Sequence, residues 1–583
     1  MTVVLCLIAV TLGSVQAWGT RHSMAGDGVS YLDIADAYFR GDWQAAVNAY
    51  WSPLYSWLLG AATHLIEPSP YWEFAVVHLV NFLIYLLALA GFLFLLSELT
   101  RFQRIRRAAS SNGQFTLVPE WAFLVMSHML FLWCSLQLIS IGAPTPDMLV
   151  AAFIYFASGL IVRIRTGRAN WFHFVLLGLV LGVNYLAKAA MFPLAFIFLA
   201  VSLFAARDFR TAWPRVLSAF FVFALVCAPL IATISITKGR WTFGDTGKLN
   251  YVWEFNVPRF VHWQGEPPGN GVPAHPTRKI LDEPAVYEYA TPIKGTYPPW
   301  LDPSYWYEGV AVRFDLVRQV ISTLSLFREC FIVILIAPGI VFALFILLLS
   351  RRKLGEVGAC LSTSWFLFAP ALAGLLMYSM VFIDTRYIAP FVLLLGVGVF
   401  SSLELKKSKF SERFFVYTTL VCIATSAIIL EHSLNGLVRV ASREFVAMNE
   451  IQHNKHWRAA VELQKSGLNP GDKVAALGVF DNHWARVARA QYVSEIPLRF
   501  LRDRDRFLRD DYSPSAYATE ETDKFWRAEP DTKSKVMQAF KAAGARAVVA
   551  ERVPTWADTT GWHKIEDEDD DTKNDLYFYS LEG

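Results

Sequence analysis

Apolar runs, most of them near twenty residues long, alternate along this chain with short polar loops, and every second loop is basic. A run of about 20 apolar residues crosses the bilayer core as a helix, and an unpaired backbone is not tolerated there. The pattern therefore predicts a polytopic α-helical membrane protein with about 11 transmembrane helices. They are placed near 2–18, 74–97, 121–141, 147–163, 171–187, 190–206, 216–236, 320–350, 358–382, 387–403 and 414–432. The basic clusters are Arg101-Arg104-Arg106-Arg107, Arg163-Arg165-Arg168, Arg207-Arg210-Arg215, Arg351-Arg352-Lys353 and Lys406-Lys407-Lys409-Arg413. Such clusters stay on the cytoplasmic side, which turns loops 19–73, 142–146, 237–319 and 383–386, the turn around 188 and the segment 433–583 outward. The first span ends in Val15-Gln16-Ala17, which resembles a signal-peptidase site, but it has no charged n-region; a retained helix is expected.

Composition agrees. Hydrophobic residues make up 54% of the 583 and charged residues only 18%, against about 25% charged in soluble proteins. With 53 Lys+Arg against 50 Asp+Glu, the balance does not point to nucleic acid. Cys6, Cys134, Cys227, Cys330, Cys360 and Cys422 all lie in apolar stretches, leaving the polar regions without a disulfide framework or thiolate metal site.

Two outward regions differ in character. Loop 237–319 holds 10 of the 27 prolines, five tryptophans and six tyrosines, too many prolines for long helices and an aromatic content suited to headgroups or sugar rings. Segment 433–583 reads as a separate extracytoplasmic α/β domain: strands at 473–478, 546–550 and 576–579, and an amphipathic helix over 532–543 stopped by Gly544. The acidic run 566–571 is read as a solvated hairpin tip rather than a Ca²⁺ site. Gly478 after a strand lacks the further glycines of a dinucleotide fingerprint.

The residues that can carry chemistry cluster on the outward side. Segment 23–43 (SMAGDGVSYLDIADAYFRGDW) places Asp27 just beyond the first span, at the start of an amphipathic helix that also carries Tyr31, Asp33 and Asp36. A carboxylate at the edge of a partly dry cavity suits a general base; a helix cap is the plainer reading. Segment 48–60 (NAYWSPLYSWLLG) starts a second juxtamembrane helix at Pro53 and sets Tyr55 at headgroup level. Asp147 follows two prolines in 142–149 (GAPTPDML), Lys188 closes 182–188 (GVNYLAK), and Arg386 and Tyr387 lie in 384–390 (DTRYIAP). Asp147 can equally cap its span, Lys188 can snorkel, and Arg386 can pair with Asp384. His22 and His64 are expected in the aromatic belt.

These five segments, in order, spacing and sidedness, resemble the GT-C superfamily of membrane glycosyltransferases, with protein O-mannosyltransferases and lipid A aminoarabinose transferases as similar members. The resemblance covers roughly 1–403. The organisation expected is a transmembrane core over 1–432, including the outer loops 19–73 and 237–319, with the α/β domain, which the family does not demand, over 433–583. The resemblance implies an inverting enzyme that moves a sugar from a polyprenyl-phosphate donor to an acceptor hydroxyl of lipid, glycan or protein. Asp27 and Asp147 become the catalytic candidates, and Tyr31, Asp33, Tyr55, Lys188, Arg386 and Tyr387 the substrate-binding ones. Lys188 and Arg386 are suited to the leaving phosphate. Asp147 is open to three roles: holding the acceptor, orienting Asp27, or positioning a water or cation. No cofactor is expected; a divalent ion shared by Asp27 and Asp147 stays open, although no histidine cluster supports a metal site. The expected location is the bacterial inner membrane, multi-pass, with the site and C-terminal domain on the periplasmic side. One departure stands out: Asp27 is followed by glycine where protein mannosyltransferases carry an acidic pair. A transporter or flippase is the rival reading, but transporters place their charges near the midplane and repeat their halves. A surface-polysaccharide polymerase or ligase would share the donor, and an envelope scaffold would leave the outward motifs without a purpose.

Overall fold

The structure is a computed structural model that describes residues 1–109, 115–256, 262–266, 268–274, 278–289, 295–296, 302–351, 354–406, 413–424, 427, 455–478, 483–500, 517–518, 520–565 and 576–582. The acidic run 566–571 lies outside them. Among the described residues, eight helices are long and apolar enough to cross a membrane: Thr2–Gly19, Glu73–Ala108, Glu120–Ile139, Asp147–Arg165, Phe209–Lys238, Leu316–Ile336, Gly355–Ser379 and Thr385–Ser402. Trp171–Ala187, Met191–Ala205 and Arg413–Ala424 are apolar but shorter. The run expected as one span over 320–350 is instead two helices, Leu316–Ile336 and Ile340–Arg351. Pro338 disfavours a helical Ala337, which is extended at ψ 131°, and Gly339 takes φ +76°, a conformation that stops a helix.

One end of the bundle gathers the basic clusters. Glu98, fully buried, accepts from Arg163 at 2.5 Å and Arg168 at 3.2 Å and lies 3.6 Å from Arg101. Arg104 forks onto Glu120, and Arg207 packs beside Gly167. Phe115–Leu117 pairs antiparallel with Glu404–Lys406, tying the first basic loop to the last. The motif residues sit at the other ends of the same helices. Asp147 opens the helix that carries Arg163 a full bilayer leaflet or more away, about 24 Å at 1.5 Å per residue. Arg386 opens the helix that leads to Glu404, and Lys188 closes Trp171–Ala187.

The first helix is locked into the bundle at this motif end. Buried Gln16 donates to the Leu136 carbonyl and accepts from the Ile141 N–H, both at 2.9 Å. Beyond it, Gly26–Arg40 ends in the left-handed Gly41, and Pro53–Ile66 starts on its own proline; the two pack together.

The extramembrane sheet is larger than 433–583 alone supplies. Its seven strands run, edge to edge, His563–Ile565, Leu576–Ser580, Ala547–Glu551, Lys473–Leu477, Gln491–Ile496, Val286–Glu288 and Arg278–Leu281. The three strands Ala547–Glu551, Lys473–Leu477 and Gln491–Ile496 are parallel and form the centre; the helix Pro530–Ala542 covers them through Val536 and Phe540. The last two strands come from loop 237–319, so that loop and the C-terminal segment share one sheet and the boundary drawn at 432/433 divides a single unit. The helix stop at Gly544 has φ +92°.

Single cysteines replacing exposed Glu67, at the motif end, and Arg104, at the basic end, are expected to label with a membrane-impermeant maleimide from opposite sides of sealed vesicles. Labelling from one side would break the assignment.

Candidate active site

Arg386 is the hub of the motif end. Asp384 caps the helix Thr385–Ser402 by accepting from the Arg386 N–H at 3.1 Å, and its other oxygen accepts from Nε at 2.9 Å. The guanidinium reaches onward: Nη2 lies 3.4 Å from Asp27 Oδ2, and Nε lies 3.5 Å from Asp147 Oδ2. Lys188 completes the cluster, donating to Asp147 Oδ1 at 2.5 Å while its ammonium rests 3.3 Å from the centroid of the Tyr387 ring. Thr145 Oγ1 donates to Asp147 at 2.9 Å. Four loops separated by up to 359 residues thus meet at two cations and three carboxylates.

The plainer readings of these residues are not what the structure contains. The cap residue of Gly26–Arg40 is Ala25, and no side chain caps that end. Pro146, not Asp147, caps Asp147–Arg165. Lys188 is largely enclosed, 14% exposed, and its ammonium bonds Asp147 rather than pointing away into solvent alone. The Arg386–Asp384 pair does form, alongside the contacts to Asp27 and Asp147.

Asp27 and Asp147 differ in a way that separates their roles. Asp147 is 3% exposed and held from three sides by Thr145, Lys188 and Arg386. The Asp27 side chain keeps 32% of its surface open and, among the described residues, makes only the long contact to Arg386. Burial by the surrounding protein raises the Asp27 pKa above the usual aspartate range; Arg386 opposes that rise and Asp147 adds to it. Burial also depresses the Lys188 pKa, against the pull of Asp147. Arg386 is the one residue that pairs with both Asp27 and Asp147 among the described residues.

Tyrosines wall the cluster. Tyr31 packs edge-on against Trp51 and Tyr55, both at 4.9 Å. Tyr55 donates to Asn81 at 2.7 Å, and Asn81 in turn donates to the Ile141 and Ala143 carbonyls, bracing the loop before Asp147. Tyr378 packs on Tyr387 at 5.4 Å. Tyr50, which the sequence reading passed over, stands close enough to feel the charges of Asp27 and Arg386. Its N–H donates to Asn48 at 2.7 Å, and its carbonyl accepts from Thr246 of loop 237–319. Asp33 does not join this cluster: it bonds Thr296 and Arg486 on the far side of its helix. His22 packs on Tyr71 and His64 on Phe39.

The glycine after Asp27 has a steric reason. A Cβ on Gly28 would stand 2.6 Å from Pro144 Cγ and 2.7 Å from its Cβ, a rigid ring that cannot yield. The close approach brings Asp27 beside the 142–147 loop and leaves no room for a second acidic side chain. A π-helix, Trp133–Ile139, leads into that loop; such segments recur at functional sites.

No protein-family model and no curated protein matches the chain. Among solved structures it is similar to ArnT from Cupriavidus metallidurans in the apo state, with TM-score 0.50 and 12% identity over 99% of this chain and 97% of that one. It is similar to the same protein bound to undecaprenyl phosphate, with TM-score 0.50 and 12% identity over 100% and 98%. The chain has the GT-C fold. The apo oligosaccharyltransferase of Archaeoglobus fulgidus aligns with 13% identity over 94% of this chain and 69% of its own, at TM-score 0.47. Within the GT-C fold identified here, the cluster around Arg386 lies at one end of the bundle, beside the juxtamembrane helices.

The two aspartates are expected to respond differently to neutralisation. Asp147→Ala strands buried Lys188 and is expected to cost about 3–5 kcal/mol of stability, the usual penalty for halving a buried ion pair. Asp27→Asn gives up one long, partly open contact and is expected to cost under about 1 kcal/mol. Thermal unfolding of the two variants in detergent measures the contrast.

Proposed function

We propose that this chain is an inverting membrane glycosyltransferase that takes a sugar from a polyprenyl-phosphate donor and transfers it to an acceptor hydroxyl at the extracytoplasmic face. The observation that carries the reading is the asymmetry between the carboxylates: one partly open and lightly held, one buried and fully engaged, with Arg386 reaching both and Lys188 held on the buried one. Asp27 is the base. It takes the hydroxyl proton as the acceptor oxygen attacks the anomeric carbon from the face opposite the phosphate; the bond from that carbon to the phosphate oxygen breaks and polyprenyl phosphate departs with the electron pair.

Lys188 and Arg386 receive the leaving phosphate. An ammonium has three donors and Lys188 spends one on Asp147; among the described residues Nη1 of Arg386 makes no hydrogen bond, so both cations keep donors for an anion. Asp147 acts as a positioning residue that holds Lys188 and shares Arg386. Tyr50 and Tyr387, both partly exposed, are suited to contact a sugar, whereas Tyr31 is 4% exposed and backs the wall. That ArnT has been solved with undecaprenyl phosphate supports a lipid-phosphate donor here. No step needs a metal. The acceptor is a lipid, glycan or protein hydroxyl, and the membrane is the bacterial inner membrane.

Purified protein given a panel of polyprenyl-phosphate sugars is expected to release free polyprenyl phosphate with at least one. Asp27→Asn is expected to lower turnover by about 10²–10⁴-fold with donor affinity near normal, whereas Lys188→Ala and Arg386→Ala are expected to weaken donor binding. Normal turnover in folded Asp27→Asn would remove it as the base. A base must be ionised, and the Asp27 pKa is raised. Turnover is therefore expected to fall as pH drops through a midpoint above the ordinary aspartate range, and a pH–rate profile of the wild type locates it.

A further inference from the structure

We propose that Arg486, in the extramembrane domain, is a positioning residue for Asp27; this rests on the function proposed above. Arg486 is 2% exposed, among the most buried large side chains. It lies on the short helix Trp484–Ala488 that leads into the central strand Gln491–Ile496. Its guanidinium forks onto Glu73 at 2.6 and 3.1 Å and reaches Asp33 at 2.9 Å and Asp36 at 2.7 Å. Asp33 and Asp36 belong to the helix that carries Asp27, six and nine residues or about 9 and 13.5 Å along its axis. Glu73 opens the long membrane helix whose His78 bonds the Ser23 carbonyl at 2.9 Å and whose Asn81 holds the loop before Asp147. One guanidinium therefore fixes the helix bearing the base against the helix that frames the rest of the site.

The charges make this fixation conditional. Three carboxylates converge on Arg486, and Arg489 adds one further contact, to Glu73 at 3.0 Å. Without Arg486, Asp33, Asp36 and Glu73 repel at close range in a buried setting, and Gly26–Arg40 is pushed from the start of Glu73–Ala109. The 3.4 Å approach of Asp27 to Arg386 is then the first geometry lost, whereas Lys188, Arg386 and Asp147 sit on other elements and keep theirs. The sheet domain thus does more than cover the site: its docking places the base.

Arg486→Gln in the full chain is expected to lower kcat for polyprenyl-phosphate release at least tenfold with the donor KM within about twofold. Adding Asp36→Asn, which removes one repelling carboxylate and leaves the Asp33–Thr296 bonds intact, is expected to recover part of it. Arg486→Lys, a point charge that cannot fork, is expected to fall between, and serves if Arg486→Gln does not fold. Arg546→Gln, which breaks exposed pairs to Asp472 and Glu582 elsewhere in the same domain, is expected to leave kcat unchanged. Amide exchange in the ligand-free protein is expected to speed up over 26–40 in Arg486→Gln. Unchanged kcat, a rise in KM alone, an equal loss in Arg546→Gln, or unchanged exchange over 26–40 would each overturn the proposal. If wild type releases no polyprenyl phosphate from any donor, the function reading fails, and the exchange measurement alone still decides whether Arg486 holds the helix.

Discussion

A guanidinium only partly open to solvent at the edge of a bilayer needs carboxylates around it, and Arg386 draws in three of them from three separate parts of the chain. Asp384 is local and sets the rotamer while capping the helix. Asp147 and Asp27 are distant, and their approach requires the first juxtamembrane helix, the 142–147 loop and the helix Thr385–Ser402 to converge. The rest of the motif end can be traced back to that requirement. Gly28 is needed so that the helix can pass Pro144, Asn81 braces the carbonyls on which the loop hangs, and Gln16 anchors the loop to the first membrane helix.

The formal charges at this end do not cancel. Three carboxylates facing two cations leave an excess negative charge in a partly dry site, which the protein carries on Asp27, the carboxylate with fewest contacts. Asp147 shares its electrostatic surroundings but has no open surface from which to meet an acceptor. The same chemistry recurs at Arg486, where a second buried guanidinium meets three carboxylates. There the guanidinium itself is 2% exposed and Asp33 and Glu73 are buried with it, while Asp36 keeps an open edge.

The sequence carried the bundle plainly because a membrane helix is a local object: length and apolarity within one window decide it. The clustering of Arg104, Arg163 and Arg207 at one end, and of Asp27, Asp147, Lys188 and Arg386 at the other, followed from alternation alone. The strands at 473–477 and 547–551 were legible from the apolar runs 474–477 and 547–550 within them. The split of 320–350 had a local signal as well, Pro338-Gly339, that the hydrophobicity on either side masked. The strands Arg278–Leu281 and Val286–Glu288 had none strong enough, being three or four residues long in a proline-rich loop and stabilised by pairing with Gln491–Ile496.

What the sequence determined by itself, then, is which segments enter the membrane, which end of the bundle is basic, and which polar residues are stranded at the opposite end, since each depends on neighbours within a few residues. The tertiary structure alone decided which aspartate is exposed and which is sealed, that Asp33 turns toward Arg486 and away from Arg386, and that Tyr50 joins the site wall. Those outcomes depend on contacts between residues hundreds of positions apart, such as Asp33 with Arg486 at a separation of 453. Charge and periodicity show that a residue needs a partner; only the packed chain selects which one it has.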